Sequence, residues 1–440
     1  MRRGIKNGRQ QRQQKPNKAM WLSVIPGLGQ LYNKQIVKGG VLLVVFFLEL
    51  LEIVVLGIPA LTGLYSLGNV PMQDHSLFML IKGAMQLITL VLFGIFHLVA
   101  MRDAKLVAHQ MNEGKKVPVT AKETLEAIYE KGFPYLLIIP AYLAMAFAII
   151  FPVLVTLLIA FTNYDFRHIP PYRLLDWVGL KNFLNILELS TFKTAFTSVL
   201  SWTLIWTLAA TSLQIVIGIA TAVIANQSFI RGKRLFGVIF LLPWAVPAFI
   251  SIMSFGNFFN DSIGAMNVQV LPFIEKFLPF VDFGIVSWKT DPFWTKVAVI
   301  MVQGWLGFPY IYILVSGILQ AIPADLYEAA TVDGVTVLQK FRHITMPMIF
   351  AVAAPTLIAQ YTFNFNNFSI IYLFNNGGPG TVGGGAGTTD ILISWIYKLT
   401  TQTSPQFSMA SAVTLIISVI VISVSLITFK KFKAFDMEER

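Results

Sequence analysis

The chain has 440 residues, 55% hydrophobic and only 12% charged, a balance that excludes an ordinary water-soluble globule. Its formal charge of +11 raises nucleic acid as a partner, but the basic residues concentrate at one end, where they suit a membrane anchor, and no nucleic acid is expected. Cysteine is absent, which excludes a disulfide framework, a thiolate metal site and a Cys nucleophile.

In chain order, residues 1–40 hold nine Lys or Arg and no acid and read as a basic cytoplasmic arm. Within it, residues 20–32 are apolar but fall short of the ~20 residues that cross a bilayer, and they carry Pro26, Gly27 and Gly29. An interfacial or re-entrant piece is expected there. No small-residue cleavage site follows, so a removable signal peptide is not expected. Eight longer apolar stretches then read as transmembrane helices: roughly 41–63, 77–101, 134–162, 195–226, 235–259, 294–320, 349–374 and 408–429. Placing the N-terminus inside puts 24 of the 33 Lys and Arg in cytoplasmic segments, so both termini are expected to be cytoplasmic in a multi-pass plasma-membrane protein.

Three blocks follow from this reading: the arm with its short apolar segment (1–40), two spans with a charged connector (41–133), and six spans (134–440). The fold class expected is an all-α integral membrane protein. The external segments Asp165 to Lys193 and Asn260 to Pro292 are too short for a large separate domain. Gly377–Gly387 reads as an irregular external loop, either a connector or a contact for an external partner.

The polar loop 322–347, before the penultimate span, has helix punctuation. Pro323 and Asp325 suit a helix start and Gly334 a stop, and Thr336 with Gln339 has capping-box spacing for a second short helix. Ala329 and Ala330 keep one side small for close approach by another protein, and Glu328 offers a charge to that partner.

Two spans carry more polar groups than lipid readily solvates. Gln303, Leu306, Gly307 and Tyr310 lie at i, i+3, i+4, i+7, and Gln360, Phe363, Asn364 and Asn367 repeat that spacing, so each set is expected on one helix face at similar depth. Pro309 and its neighbouring glycines are expected to break the first helix locally. Amides and flat aromatic faces without a countercharge suit a neutral polyhydroxylated solute. For any single amide, interhelical hydrogen bonding is the favoured reading; two matched stripes at one depth reverse it. Glu49 and Glu52 read as structural, paired or facing the bundle. No phosphate loop, zinc-binding helix or nucleophile set is present, so neither a catalytic residue nor a metal site is expected.

The order Glu328-Ala329-Ala330, Gly334, Ile344, Met346-Pro347 resembles the coupling loop of ABC importer permeases, with Met346 where Leu is usual. Phe240–Pro247, Trp305–Tyr310, Phe363–Phe368 and Asn376–Pro379 are similar to the MalF-type maltose/maltodextrin permeases, as is Tyr135 through Tyr164. The resemblance covers roughly residues 134–440. It implies a six-helix permease core preceded by two extra helices, with Leu306, Gly307, Tyr310, Phe363, Asn364 and Asn367 matching the family's sugar-contacting pattern. Gln303 stands where Asn is familiar and Gln360 where Ser is, which bears on sugar length or linkage. Asp333 and Pro347 join Glu328, Ala329, Ala330, Gly334 and Ile344 in the implied ATPase-coupling loop.

The partners implied are a second homologous permease, a cytoplasmic ATPase dimer holding ATP and Mg²⁺, and an extracellular sugar-binding protein. No cofactor is expected in this chain. The function expected is import of oligosaccharides, maltose or maltodextrin first, with galacto-oligosaccharides as the alternative. An ion-coupled secondary transporter is the rival from another class.

Overall fold

The computed structural model describes residues 14–227, 229–280 and 282–431; most of the basic arm expected at 1–40 lies outside the described residues. Among those described, seven helices are long and apolar enough to cross a membrane, or eight if one sharply bent pair counts as a single span. The chain packs as two compact units, Met1–Val178 and Gly179–Arg440.

The first unit begins with α1 (Pro16–Leu22) and α2 (Leu28–Tyr32), followed by α3 (Ile36–Ser66), α4 (Ser76–Asn112), α5 (Ala121–Ala127) and α6 (Phe133–Ile159). The segment expected to be interfacial or re-entrant folds onto the end of α4. Gln30 is fully buried there: its Oε1 accepts from the Ser23 hydroxyl and the Gly27 N–H, and its amide donates to the Ala100 carbonyl and Asp103. A buried amide with all these partners is stabilising, whereas an unmet one costs about 1–3 kcal/mol. Among the acids of α3, buried Glu49 lies 3.7 Å from His97, and Glu52 accepts from Gln86. In the connector, Glu123 accepts the N–H groups of Val119 and Thr120 while the Thr120 hydroxyl accepts the Glu123 N–H, a reciprocal cap for α5. Those two backbone donors hold the Glu123 carboxyl down at about 2.

The second unit comprises α7 (Lys181–Glu188), α8 (Ser190–Ala225), α9 (Lys233–Ala245), α10 (Ala248–Phe258), α11 (Leu271–Phe277) and α12 (Pro292–Ala321). The loop helices α13 (Ala324–Val332) and α14 (Val337–Lys340) come next. Then follow α15 (Met346–Phe365), α16 (Phe368–Asn375), α17 (Leu392–Thr401) and α18 (Phe407–Lys431). Its most extensive packing is α8 along α12. One core cluster gathers Trp202, Trp206, Phe259, Trp288 and Phe374, and another Ile219, Phe308, Ile311 and Ile349.

The structure corrects two expectations here and adds a bend to a third. The fifth apolar stretch is a bent pair, α9 and α10, with an angle of 87° between them. Pro247 has no N–H to continue the helix and forces Val246 to extended backbone (φ −109°, ψ 135°). Pro309, by contrast, leaves α12 continuous. The Trp244 indole donates to the Leu306 carbonyl at 3.1 Å, next to the Trp305 carbonyl that Pro309 leaves without a helical donor. The break falls at Asn366 and Asn367, between α15 and α16. There the Asn366 side chain bonds back to the Thr362 carbonyl at 3.3 Å, the local competition that makes Asn a poor helix interior residue.

The glycine-rich segment is also more ordered than its composition predicts. Strands β1 (Thr381–Gly383) and β2 (Ala386–Gly387) pair antiparallel. Buried Asp390 anchors the turn: it accepts from the Gly387 N–H at 2.6 Å, the Ser394 hydroxyl at 2.8 Å and Lys398 at 2.5 Å. Indole donors from Trp202 and Trp395 hold the Thr389 and Gly384 carbonyls. Side chains outside the loop add to the order that its own paired strands begin.

Candidate functional site

Two places bring the expected residues together. The first lies where α8, α12 and α15 meet. Gln303, buried on α12, donates through its amide to Asn364 Oδ1 at 2.9 Å and Gln214 Oε1 at 3.2 Å. Asn364, fully buried on α15, donates to the Thr211 hydroxyl at 2.9 Å and to Gln214 at 3.3 Å. Asn367 lies beyond the end of α15, so the expected continuous face of four is broken, yet its amide still reaches Gln303 Oε1 at 3.0 Å. Gln214 donates onward to Gln360 at 3.1 Å. Four of the eight expected residues thus form one closed network with no charged group among its hydrogen-bond partners.

Gln214 and Thr211, which complete this network from α8, were not among the candidates. Their signal was available: Thr203, Thr207 and Thr211 recur every four residues along one apolar helix, and Gln214 follows one turn later on the same face. Gly307 explains why the helices close so tightly here. A Cβ at that position would stand 1.9 Å from Gln214 Oε1, so any larger residue would push the amide out of its place in the network.

The remaining expected residues stand apart from the amides. Leu306 packs on the core cluster. Tyr310 is 37% exposed, with its ring 6.2 Å from that of Trp244. Phe363 is 62% exposed. Amides and aromatics therefore occupy different faces in this conformation. A cavity of about 770 Å³ between α8, α15 and α18, walled by residues such as Leu208, Pro355 and Val424, contains none of the eight.

Each of these neutral hydrogen bonds is worth little net, about 0.6 kcal/mol on average inside a membrane, so hydroxyl groups of a solute can replace them at small cost. Leaving the amides without any partner is far more expensive. Such a cluster exchanges partners readily but does not tolerate an apolar occupant.

The second place is the elbow 322–347. α13 ends at Asp333, Gly334 turns the chain with φ +72°, and α14 starts with the expected capping box: Thr336 N–H donates to Gln339 Oε1 at 2.9 Å and the Gln339 N–H returns to Thr336 Oγ1. The left-handed backbone at Gly334 is what lets the two helices fold back. Pro323 occupies the N-cap of α13. Glu328, Ala329, Asp333 and Pro347 are exposed, and Ile344 is half-buried. Ala330 is buried, so Ala329 alone offers the small outward surface expected of the pair. The elbow also presents an apolar tip that sequence reading missed: Val332, Val337 and Leu338 are 88%, 80% and 74% exposed. Tyr327 and Thr345 share a hydroxyl contact at 2.9 Å that ties α13 to the root of α15.

Residues 214–432 match the family model described as binding-protein-dependent transport system inner membrane component. The chain is 67% identical over 426 residues to the maltodextrin transport system permease protein MalC of Streptococcus pneumoniae, covering 97% of this chain and 98% of that protein. It is 47% identical over 426 residues to the galactooligosaccharides transport system permease protein GanP of Bacillus subtilis, covering 96% and 98%. Among solved structures, a bacterial ABC transporter involved in import of the acidic polysaccharide alginate superposes with a TM-score of 0.57 at 20% identity, covering 71% of this chain and 99% of that one. The last likeness concerns the fold alone.

Proposed function

Taking as premise that this chain belongs to the MalF-type sugar permeases of binding-protein-dependent ABC importers, we propose that the oligosaccharide it passes is a maltodextrin. The chain is a multi-pass membrane subunit that translocates rather than catalyses. The observation that carries the substrate reading is the uncharged cluster of Gln214, Gln303, Gln360, Asn364 and Asn367 joining three helices inside the bundle. It supplies donors and acceptors in equal measure and no countercharge, which fits a solute made of hydroxyl groups. Leu306, Gly307, Tyr310 and Phe363 complete the site when the helices move, bringing flat faces to the C–H side of a sugar ring.

In this reading the polypeptide works with a second related permease, two copies of a cytoplasmic ATPase that hold ATP and Mg²⁺, and an external sugar-binding protein. Both termini and the elbow face the cytoplasm. ATP binding draws the ATPases together, the docked elbow moves α15 at its root, and the amide cluster trades its internal partners for sugar hydroxyls released from outside. Hydrolysis resets the elbow. Each step requires the sugar or nucleotide to favour one arrangement over the other.

The relative named for galacto-oligosaccharides supports a second substrate reading. Uptake of labelled maltotriose by cells carrying the whole importer, with unlabelled galacto-oligosaccharide as competitor, separates the two. Maltotriose uptake resistant to the competitor is expected; absence of maltotriose uptake, or its loss on adding the competitor, would replace the maltodextrin reading.

A further inference from the structure

The first unit carries a basic notch that transport leaves unused. α4 has 37 residues, roughly 55 Å at 1.5 Å per residue, against a hydrocarbon core of about 30 Å. After Lys82 its apolar run continues to Met101, and the next charge is Arg102, so the helix leaves the membrane near that point. At this level Met20 of α1 and Met101 and Leu106 of α4 help to wall a cavity of about 430 Å³, and Arg102, Lys105 and His109 line it as well. The three basic residues are three and four positions apart and share one helix face.

Nearby acids are already engaged. Asp103 accepts from Lys38 at 2.7 Å and from Gln30 at 3.0 Å, and Glu113 pairs with Lys115 at 2.7 Å. Arg102 and Lys105 have no ion-pair partner among the described residues. Trp21, 65% exposed, and the exposed Val24 and Ile25 stand on the adjoining segment, with the indole suited to headgroup level.

We propose that this notch binds an anionic phospholipid, its phosphodiester on Arg102 and Lys105 and the top of an acyl chain against Met20 and Met101. Charge complementarity and depth both select this occupant. A zwitterionic lipid would bring a cation to the same arginine and lysine, and a free phosphate would leave the apolar wall uncovered.

The test uses the full chain purified in detergent, with lipid retention read by native mass spectrometry. Phosphatidylglycerol, phosphatidylcholine of matched chains, and inorganic phosphate are the three probes. Phosphatidylglycerol is expected to be retained roughly tenfold or more above phosphatidylcholine. R102Q/K105Q should lower its retention about 25-fold, at about fivefold per charge, while R102K/K105R keeps it. The single R102Q variant, with about a fivefold loss, serves if the double variant does not fold. Equal retention of the two lipids, or unchanged retention in the Gln variants, would overturn the proposal. Displacement of the lipid by inorganic phosphate would overturn it too, and assign a free-anion site in its place.

Discussion

The amide cluster between α8, α12 and α15 and the elbow at 322–347 are built on opposite plans. In the cluster, polar groups lie buried and use their hydrogen bonds on one another. At the elbow, Val332, Val337 and Leu338 stand exposed on a helical turn. Each inverts the usual economy of its surroundings, since lipid-embedded interiors disfavour amides and aqueous surfaces disfavour apolar tips. The contrast lies in how complete each region is. The cluster's amides have partners in one another, whereas the elbow's apolar tip stays uncovered among the described residues.

The largest effect should come from breaking the elbow's turn. Gly334→Pro fixes φ near −65° where the chain needs +72°. ATP-driven sugar uptake is expected to fall to background with normal amounts of protein in the membrane; normal uptake would remove the docking role. Next in size, Asn364→Leu strips partners from Gln303 and Thr211 and should cost about 1–3 kcal/mol for each buried group left unmet, seen as a lowered Tm in detergent together with lost uptake. Phe363→Ala sharpens this case. Its ring is 62% exposed, so uptake should drop at unchanged Tm; a matching Tm loss would mean that Phe363 holds the bundle rather than the sugar.

A smaller effect is expected from Leu338→Asp, which spoils the apolar tip without touching the fold. Roughly tenfold weaker ATPase binding in a pull-down, at unchanged Tm, would mark the tip as contact surface; undiminished binding would leave it without a partner. The smallest belongs to Glu123, a surface carboxylate outside both regions. Its folded value of about 2 lies below its ordinary 4.5, so the cap it provides is fully present above about 4.5 and fades as pH falls towards 2. Hydrogen exchange at the Val119 and Thr120 amides should quicken over that window in the parent chain. Glu123→Gln should flatten the response, and a persistent response would place the titration elsewhere.

Much of this was legible along the chain because its causes are local. Apolar run length marked the spans, and the Thr336–Gln339 spacing gave the capping box. Gly334 marked the turn. The bend in the fifth stretch was not legible because hydropathy averages over Val246–Pro247 and does not register that a proline there removes a donor. Pro309 was misread in the other direction: a proline inside a helix removes one donor, and α12 continues through it all the same.

The threonine repeat leading to Gln214 was present in the sequence, but no pattern says which of the spans will meet. Composition and periodicity therefore determined that this chain lives in a membrane, roughly where its apolar spans lie, and that uncharged polar groups sit within two of them. Tertiary structure decided which amides bond to which, that Phe363 and Tyr310 stand off from them, and that Ala330 is hidden while Val332, Val337 and Leu338 are bare. The physical reason is range: helix formation and bilayer insertion depend on neighbours within a turn or two, whereas hydrogen-bond partners and burial depend on side chains that come close only once the helices have packed.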